Sequence, residues 1–592
     1  MVTFGYGSAD IALNTRLRFR RSIAISPTVD ANLNGSMRTS ESISQLVSQA
    51  LEAAQQSGAL PAAGDVEIVI EKPKQAEHGD FSSSVALSLA RAMRMAPLKI
   101  AEQIAAHMPS SPLVSEVTAA APGFVNFTLS PEWLVSQIGE ILSAGEKYGR
   151  TSDGAGQRVQ VEFVSVNPTG PLHVGHARGA VLGSGIASVL EAAGYDVQRE
   201  YYVNDAGAQM RVFYDTLYAR FMQAAGKDVP LPEPSYPGEY LADMARDLLQ
   251  ENPALVEADE ATIKATISPI ALDRTLTEIR TVLESLGITY DNWFFESSLA
   301  SSGTLGKTLE MLADSGYIVE RDGARWFRST AFGEDEDDVV IRSGEQVPTY
   351  FGTDLAYHYD KFLVRKFNRV INVWGADHHG HVSRLKAAVK ALGGNPDDLT
   401  IILNQIVSFK NEGEIVRFSK RKGNIVTVEE LVATVGADAC RFIFLSRTPN
   451  AQMEFDLALA TKQSSENPVY YVQYAHARLA AILRNAAEQG LTSDGADLSL
   501  LTHDAEFELL RRLVELPDMV HRAAKNLEPH HLPYYATELA RTLQRFYEQC
   551  RVISENPGDQ PVSQARLKLV EAAKVVFART LDLMGMNAPE RM

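Results

Sequence analysis

The residues with the most chemical content stand together in Asn167-Pro168-Thr169-Gly170-Pro171-Leu172-His173-Val174-Gly175-His176. Two prolines and a glycine enforce a tight loop here. The loop follows a β-rich run at 159–164, which reads as a strand, and precedes a helical stretch at 177–193 stopped by Gly194. It therefore sits at the carboxyl end of a strand, where open α/β sheets bind ligands. The free N–H groups and positive dipole end of the following helix favour phosphate at the same place. Two imidazoles there, His173 and His176, can donate hydrogen bonds to phosphate oxygens that gain charge in a transition state. Between them, Gly175 lets a flat ring approach the backbone. A His-x-x-His metal pair or two helix-capping histidines are the competing readings, and the loop context favours phosphate.

Positioning such a loop requires a substantial α/β body, and the composition supplies one. At about 150 residues per domain, 592 residues correspond to roughly four domains. Lys plus Arg is 56 and Asp plus Glu is 74, a net charge of −18. That excludes a uniformly basic nucleic-acid coat and leaves local basic patches open. Two cysteines, Cys440 and Cys550, exclude a disulfide framework or a Cys-rich zinc cluster and suit a reducing compartment. No uninterrupted apolar run reaches 18 residues, so no transmembrane helix is expected and the chain reads as intracellular.

Residues 1–36 carry Arg16, Arg18, Arg20 and Arg21 against Asp10 and Asp30 alone. A disordered leader, a start at Met37 and an organelle transit peptide are the readings left open. A compact α/β segment follows at 37–130. Ile43, Leu46 and Leu51 have helical spacing, Val66, Ile68 and Ile70 alternate as a strand, and a Pro-Gly turn enters a short strand at 123–127. The strand–loop–helix unit opens an α/β region at 150–455, interrupted by helical segments at roughly 207–290. The acidic run Glu334-Asp335-Glu336-Asp337-Asp338 reads as a solvated hairpin or loop. Residues 456–592 have 3.6-residue periodicity almost throughout, as in Leu567-Val570-Ala573-Val576, and read as an all-α bundle.

The ten-residue loop resembles the HIGH signature of class I aminoacyl-tRNA synthetases, spelled here His173-Val174-Gly175-His176. Arg417-Phe418-Ser419-Lys420-Arg421-Lys422-Gly423-Asn424 resembles the KMSK loop, with Arg417 and Phe418 where the pattern has Lys and Met. Physically it is a basic, Gly-terminated loop able to close over a triphosphate, or an exposed basic loop that binds nothing or an RNA backbone. Asn204-Asp205-Ala206-Gly207-Ala208-Gln209, Tyr236-Pro237-Gly238-Glu239-Tyr240 and the segments 290–297, 350–357 and 373–381 all resemble arginyl-tRNA synthetase. So do Glu77-His78-Gly79-Asp80-Phe81 and Gly123-Phe124-Val125-Asn126-Phe127 near the N-terminus, and the run 467–478 at the start of the bundle.

The resemblance implies a Rossmann-like class I catalytic domain, an added N-terminal α/β domain and a C-terminal all-α anticodon-binding bundle. It implies an arginine–tRNA ligase that joins arginine to tRNA-Arg using ATP with Mg²⁺, as a cytoplasmic monomer without a membrane or a protein metal site. Pro168, Thr169, Gly170, Pro171, Leu172, His173, Val174, Gly175, His176, Ser419 and Lys420 are then expected to hold ATP, with His173, His176 and Lys420 catalytic. Glu162, Asn167, Glu296, Tyr350, Asp354 and His378 are expected to hold arginine. A guanidinium carries five donors and requires carboxylates placed for forked hydrogen bonds. For tRNA the candidates are Phe124 and Asn126 in the N-terminal domain and Tyr474 and Met592 in the bundle. Asp377-His378-His379-x-His381 invites a metal, but four donors within five residues of a short turn do not converge on one ion. Gly179-x-x-x-Gly183-x-Gly185 falls inside the helix and is not a dinucleotide fingerprint.

Overall fold

The structure is a computed structural model that describes residues 38–236, 238–344, 348–416 and 427–592. The leader reading and the basic loop with Ser419 and Lys420 lie outside the described residues.

The chain begins with α1 (Thr39–Gln56), β1 (Ile70–Glu71), β2 (Phe81–Ser83), α2 (Val85–Met93), α3 (Pro97–Ala106), β3 (Val114–Ala120) and β4 (Phe124–Leu129). The strands form an antiparallel sheet in the order β1-β2-β4-β3. Ile43, Val47 and Ala50 of α1 recur every three or four residues and share a core with Val125, Phe127 and Leu129 of β4. The strand expected over Val66–Ile70 is paired only at its end, Ile70 and Glu71 opposite Ser83 and Ser82. The alternation is real, but this is a sheet edge. Side chains hold the preceding residues instead, Ser83 Oγ donating to the Val69 carbonyl at 3.0 Å.

After α4 (Pro131–Ala144), β5 (Arg158–Phe163), α5 (Ala177–Ala192) and β6 (Asp196–Val203) open the central α/β body. A helical hairpin region, α6 (Gly207–Ala224), α7 (Glu239–Glu251) and α8 (Glu260–Ser285), has its own apolar core. Then come β7 (Asn292–Phe295), α9 (Ser297–Ser301), α10 (Thr304–Asp314), the antiparallel meander β8 (Ile318–Arg321), β9 (Ala324–Phe327) and β10 (Asp338–Ile341), and α11 (Tyr350–Tyr359). β11 (Arg369–Gly375), α12 (Val382–Ala391) and β12 (Leu399–Asn404) complete a five-stranded parallel sheet ordered β12-β11-β5-β6-β7. The chain runs from β5 outward to β7, then returns to place β11 on the other side of β5. The topological switch therefore lies between β5 and β11, which fixes the ligand crevice at their carboxyl ends.

The acidic run at 334–338 lies in the connection of the β9–β10 hairpin with Asp335 and Glu336 exposed, as expected, but its end is not solvated. Asp338 is buried at the start of β10 and accepts from Ser329 Oγ at 2.5 Å and Arg384 at 2.9 Å. Asp337 accepts from Thr330 Oγ1 at 2.7 Å and from Arg321. The charges there close the meander, which periodicity alone does not reveal.

α5 is apolar all round because all but two of its 16 residues are buried. A Cβ on Gly183 would fall 2.2 Å from the Phe163 ring, so glycine lets α5 lie directly on β5. Arg178, buried at its first turn, donates to the carbonyls of Gln405, Thr448 and Ala451 at 2.8–2.9 Å.

The chain continues through β13 (Val407–Asn411), β14 (Glu414–Val416), α13 (Val428–Val435), α14 (Ala437–Leu445), β15 (Met453–Asp456) and α15 (Leu457–Thr461). The bundle follows as α16 (Pro468–Glu488), α17 (Asp504–Leu513), α18 (Leu516–Asn526), α19 (His531–Gln549) and α20 (Gln560–Leu583). It shares one continuous core with the parallel sheet. Arg441 of α14, 1% exposed, donates to the Met584 carbonyl, to Leu286 O at 2.7 Å and to Ser184 Oγ at 2.9 Å, joining bundle, α8 and α5. Among the described residues no helix is long and apolar enough to cross a membrane.

Candidate active site

A cavity of about 750 Å³ opens at the switch point. Its walls are the 164–171 loop after β5, Tyr202 and Asn204 after β6, Glu296 after β7, the first turns of α11 and the end of β11 through His378. The structure thus gathers Asn167, Thr169, Gly170, Pro171, His176, Glu162, Glu296, Tyr350, Asp354 and His378 around one space. These residues span more than 200 positions of sequence.

The signature loop is fixed by its own contacts. The Gly175 N–H donates to His173 Nδ1 at 3.0 Å. With Nδ1 as acceptor, the neutral ring carries its proton on Nε2. His173 and His176 stand with ring centroids 6.2 Å apart at 76°. Leu172 and Val174 are buried beneath them. Gly170 is required by a close approach, since a Cβ there would fall 2.9 Å from the Tyr240 ring, whose hydroxyl donates to the Thr169 carbonyl. The Val428 N–H donates to Leu172 O at 2.9 Å, and Thr427 bridges to His173. The chain leaving the basic segment is therefore anchored on the first signature. Thr427 and Glu430 form a capping box that begins α13 there.

The cavity lining is also acidic. Burial pushes the Glu296 carboxyl up to about 7, while a hydrogen bond from Tyr202 pulls it down. Asn204, with its amide nitrogen facing the carboxylate, donates to Glu296 at 2.8 Å. Burial, aided by nearby Glu162 and Glu296 and opposed by Lys361, pushes Asp354 up to about 7. Two carboxyls held this far above their ordinary range mark a pocket in which a bound cation would stabilise their charged forms. Tyr350, half exposed at the start of α11, forms the rim.

Glu162 stands apart from the other two acids. Its carboxylate receives Lys361 Nζ at 2.5 Å, and both groups are buried. Lys361 lies in a π turn, Asp360–Val364, that follows α11, and also donates to Asn372 Oδ1 at 3.2 Å. Behind it, Glu200 accepts from Gln160, Tyr357 and Arg365. Glu162 thus lines the cavity with its carboxylate already paired to an internal cation, and the sequence carries no periodic signal for Lys361. Tyr202, Asn204, Gln209 and Tyr240 also belong to the cavity wall. The segments of Asn204, Gln209 and Tyr240 stand out in the sequence whereas Tyr202 lies outside them, and only folding assigns all four a place. Gln209 accepts from the Asn167 side-chain amide.

His378 is exposed at the rim, 3.8 Å from the Asp377 carboxylate and with its ring 5.7 Å from that of Trp374. The donors of 377–381 do not gather as a set of three around one point; among the described residues such a set occurs at Glu528, His530 and His531.

The tRNA candidates fall on two surfaces. Phe124 is half-buried on β4, whereas Asn126 is 5% exposed and accepts from Ser82 Oγ at 2.8 Å. Asn126 holds β2 to β4 and is not presented as a reading group. On the bundle, Tyr470 and Tyr474 stack at 5.9 Å and 10°, and Arg478 lies over Tyr474 at 4.8 Å and Tyr547 at 4.7 Å. Met592 is exposed at the end of a tail pinned to α16 by His476 Nδ1 on the Pro589 carbonyl, 2.9 Å, and by Arg484 on Glu590 O, 3.0 Å.

Comparison with known proteins agrees with this geometry. Residues 137–444 match the family model described as tRNA synthetases class I (R), catalytic domain. Residues 41–129 match the arginyl tRNA synthetase N-terminal domain, and 472–592 the DALR anticodon binding domain. The arginine–tRNA ligase of Dehalococcoides mccartyi strain CBDB1 is 48% identical over 561 residues, covering 95% of this chain and 100% of that protein. That of Heliobacterium modesticaldum is 46% identical, covering 93% and 98%. The solved Thermus thermophilus arginyl-tRNA synthetase, 23% identical, superposes in fold with a TM-score of 0.74 over 93% of this chain and 100% of that one. A catalytic-domain match across more than half of the sequence, with relatives nearly half identical end to end, places the chain in the arginyl-tRNA synthetase family of class I aminoacyl-tRNA synthetases.

Proposed function

We propose that this enzyme charges tRNA-Arg with arginine in two steps, with the switch-point cavity as its single active centre. An arginine carboxylate oxygen attacks the α-phosphorus of ATP; an O–P bond forms as the bond to pyrophosphate breaks. A terminal ribose hydroxyl of the tRNA then attacks the arginyl carbonyl, and AMP leaves. Both steps depend on in-line positioning and charge neutralisation more than on a strong side-chain base.

The observation that carries the reading is the polarity of the cavity. Glu296 and Asp354, both raised to about 7, line it together. His176 and the loop residues Asn167, Thr169, Gly170 and Pro171 line the same space. A guanidinium satisfies the acids through forked hydrogen bonds. A lysine ammonium lacks the planar fork and leaves a buried acceptor poorly paired, which is costly. Tyr350 closes the side of that pocket, and Asn167, held by Gln209, orients the α-amino or carboxylate group. Glu162 supports the floor through Lys361. His378 contacts substrate from the rim.

ATP lies along 168–176, with His173 and His176 donating to the phosphates as charge develops. Ser419 and Lys420 close over the departing pyrophosphate from the segment anchored at Thr427. Mg²⁺ arrives with ATP as its phosphate counter-ion. The N-terminal domain (37–130) takes the tRNA elbow with Phe124 as a stacking surface. The bundle (456–592) takes the anticodon with Tyr474 and the Met592 end of the tail. The protein works as a cytoplasmic monomer.

ATP–pyrophosphate exchange tests this reading. Exchange with arginine plus tRNA, and none with lysine, glutamate or cysteine, is expected. No exchange from folded protein, or exchange driven by another amino acid, overturns it.

A further inference from the structure

The corner between α18 and α19 contains Glu528-Pro529-His530-His531. α18 ends at Leu527 in the left-handed conformation, φ 57°, and the chain reverses within four residues. The backbone there is tied down: Glu528 N–H donates to Ala523 O at 2.8 Å, and Leu532 N–H to Pro529 O at 3.0 Å. Pro529 removes a further degree of freedom. One carboxylate oxygen of Glu528 and one ring nitrogen from each histidine lie within 4.8 Å of one another. His531 Nε2 is 3.1 Å from Glu528 Oε2, and the two imidazoles lie 4.4 Å apart, tilted 31°. His530 is only 8% exposed, yet its Nδ1 has no hydrogen-bond partner. Buried polar atoms are almost always satisfied, so an imidazole with an open nitrogen, grouped with two further metal-type side chains, points to a ligand.

We infer that Glu528, His530 and His531 form a binding site for one transition-metal ion, of the class that prefers imidazole and carboxylate, such as Zn²⁺ or Co²⁺. Two nitrogens and one oxygen suit this class over Mg²⁺ or Ca²⁺, which take oxygen shells. Side-chain rotation within this 4.8 Å set brings the three donors to the roughly 3.4 Å separations of tetrahedral ligands, leaving the fourth position to water. The site is independent of the arginine-charging chemistry. Its place in the fold gives it a structural effect: Pro529 packs where a Cβ on Gly185 of α5 would fall 3.4 Å away. A metal at this corner braces the bundle against the helix that follows the signature histidines.

The test titrates the metal-stripped full chain with Co²⁺ and follows the visible absorption of four-coordinate cobalt. One equivalent is expected to bind saturably, with Zn²⁺ displacing it and raising the melting temperature. His531→Gln, on a side chain one-third exposed, should weaken binding at least about tenfold. His530→Gln/His531→Gln should abolish both the spectrum and the Zn²⁺-dependent rise in melting temperature. If the double variant fails to fold, the single His531→Gln decides. No saturable uptake overturns the inference. So does uptake unchanged by these substitutions, which would place the metal at other histidines.

Discussion

Arginine binding should release protons, and its strength should climb steeply with pH between 6 and 8. Burial penalises the charged forms of Glu296 and Asp354 and pushes both carboxyls up to about 7. A guanidinium between them restores the charged forms to the ordinary carboxylate range near 4. Binding therefore selects the deprotonated pocket, whose population per carboxyl is one part in about 11 at pH 6, one half at pH 7 and about nine-tenths at pH 8. If one carboxyl contacts the guanidinium, Kd should be about tenfold weaker at pH 6 than at pH 8; if both do, the ratio approaches about a hundredfold. Arginine itself changes protonation little in this window, so the linkage belongs to the protein. Calorimetry with arginine in buffers of different ionisation enthalpy measures both quantities. At pH 7 about half a proton per carboxyl should leave, and Asp354→Asn should remove its share. The same shifts bear on stability with a definite sign. A folded-state carboxyl pKa above the unfolded one means the native state holds more protons between about pH 4 and 7. The empty protein should thus lose stability as pH rises through that window, and arginine should restore it. A Kd that is flat from pH 6 to 8, with a heat independent of buffer, refutes the reasoning.

Three further outcomes follow. His176→Ala should depress adenylate formation about ten- to a thousandfold with the fold intact, as removal of a transition-state donor does; unchanged exchange rates would refute its role. Lys361→Met leaves buried Glu162 without its cation and should lower unfolding stability by about 3–5 kcal/mol, with partial recovery in Lys361→Met/Glu162→Gln; urea midpoints measure this, and an unaltered midpoint would mean the pair is dispensable. Tyr474→Ala should raise KM for tRNA by an amount equivalent to about 1–3 kcal/mol of lost stacking while leaving KM for ATP unchanged, and equal changes in both would point to misfolding instead.

Much of this protein is legible in its sequence because the relevant signals are local. A strand, a Pro- and Gly-stiffened loop and a helix place His173 and His176 at a strand's carboxyl end, since each element has its own period and stop signal. The helical bundle announces itself through Leu567, Val570, Ala573 and Val576, all buried in α20. Resemblance in separate segments then identifies the acids that share the cavity. Tertiary structure alone decides what no local pattern contains. It decides that Glu162 is paired with Lys361 while Glu296 and Asp354 remain poised near neutrality. It turns the 334–338 run into a clasp for the meander and Asn126 into a sheet tie. The physical reason is that a side chain's charge, partner and exposure depend on neighbours brought in from distant positions. Residue type and spacing fix which chemistry is available; the sheet's return between β7 and β11 fixes which of those groups meet.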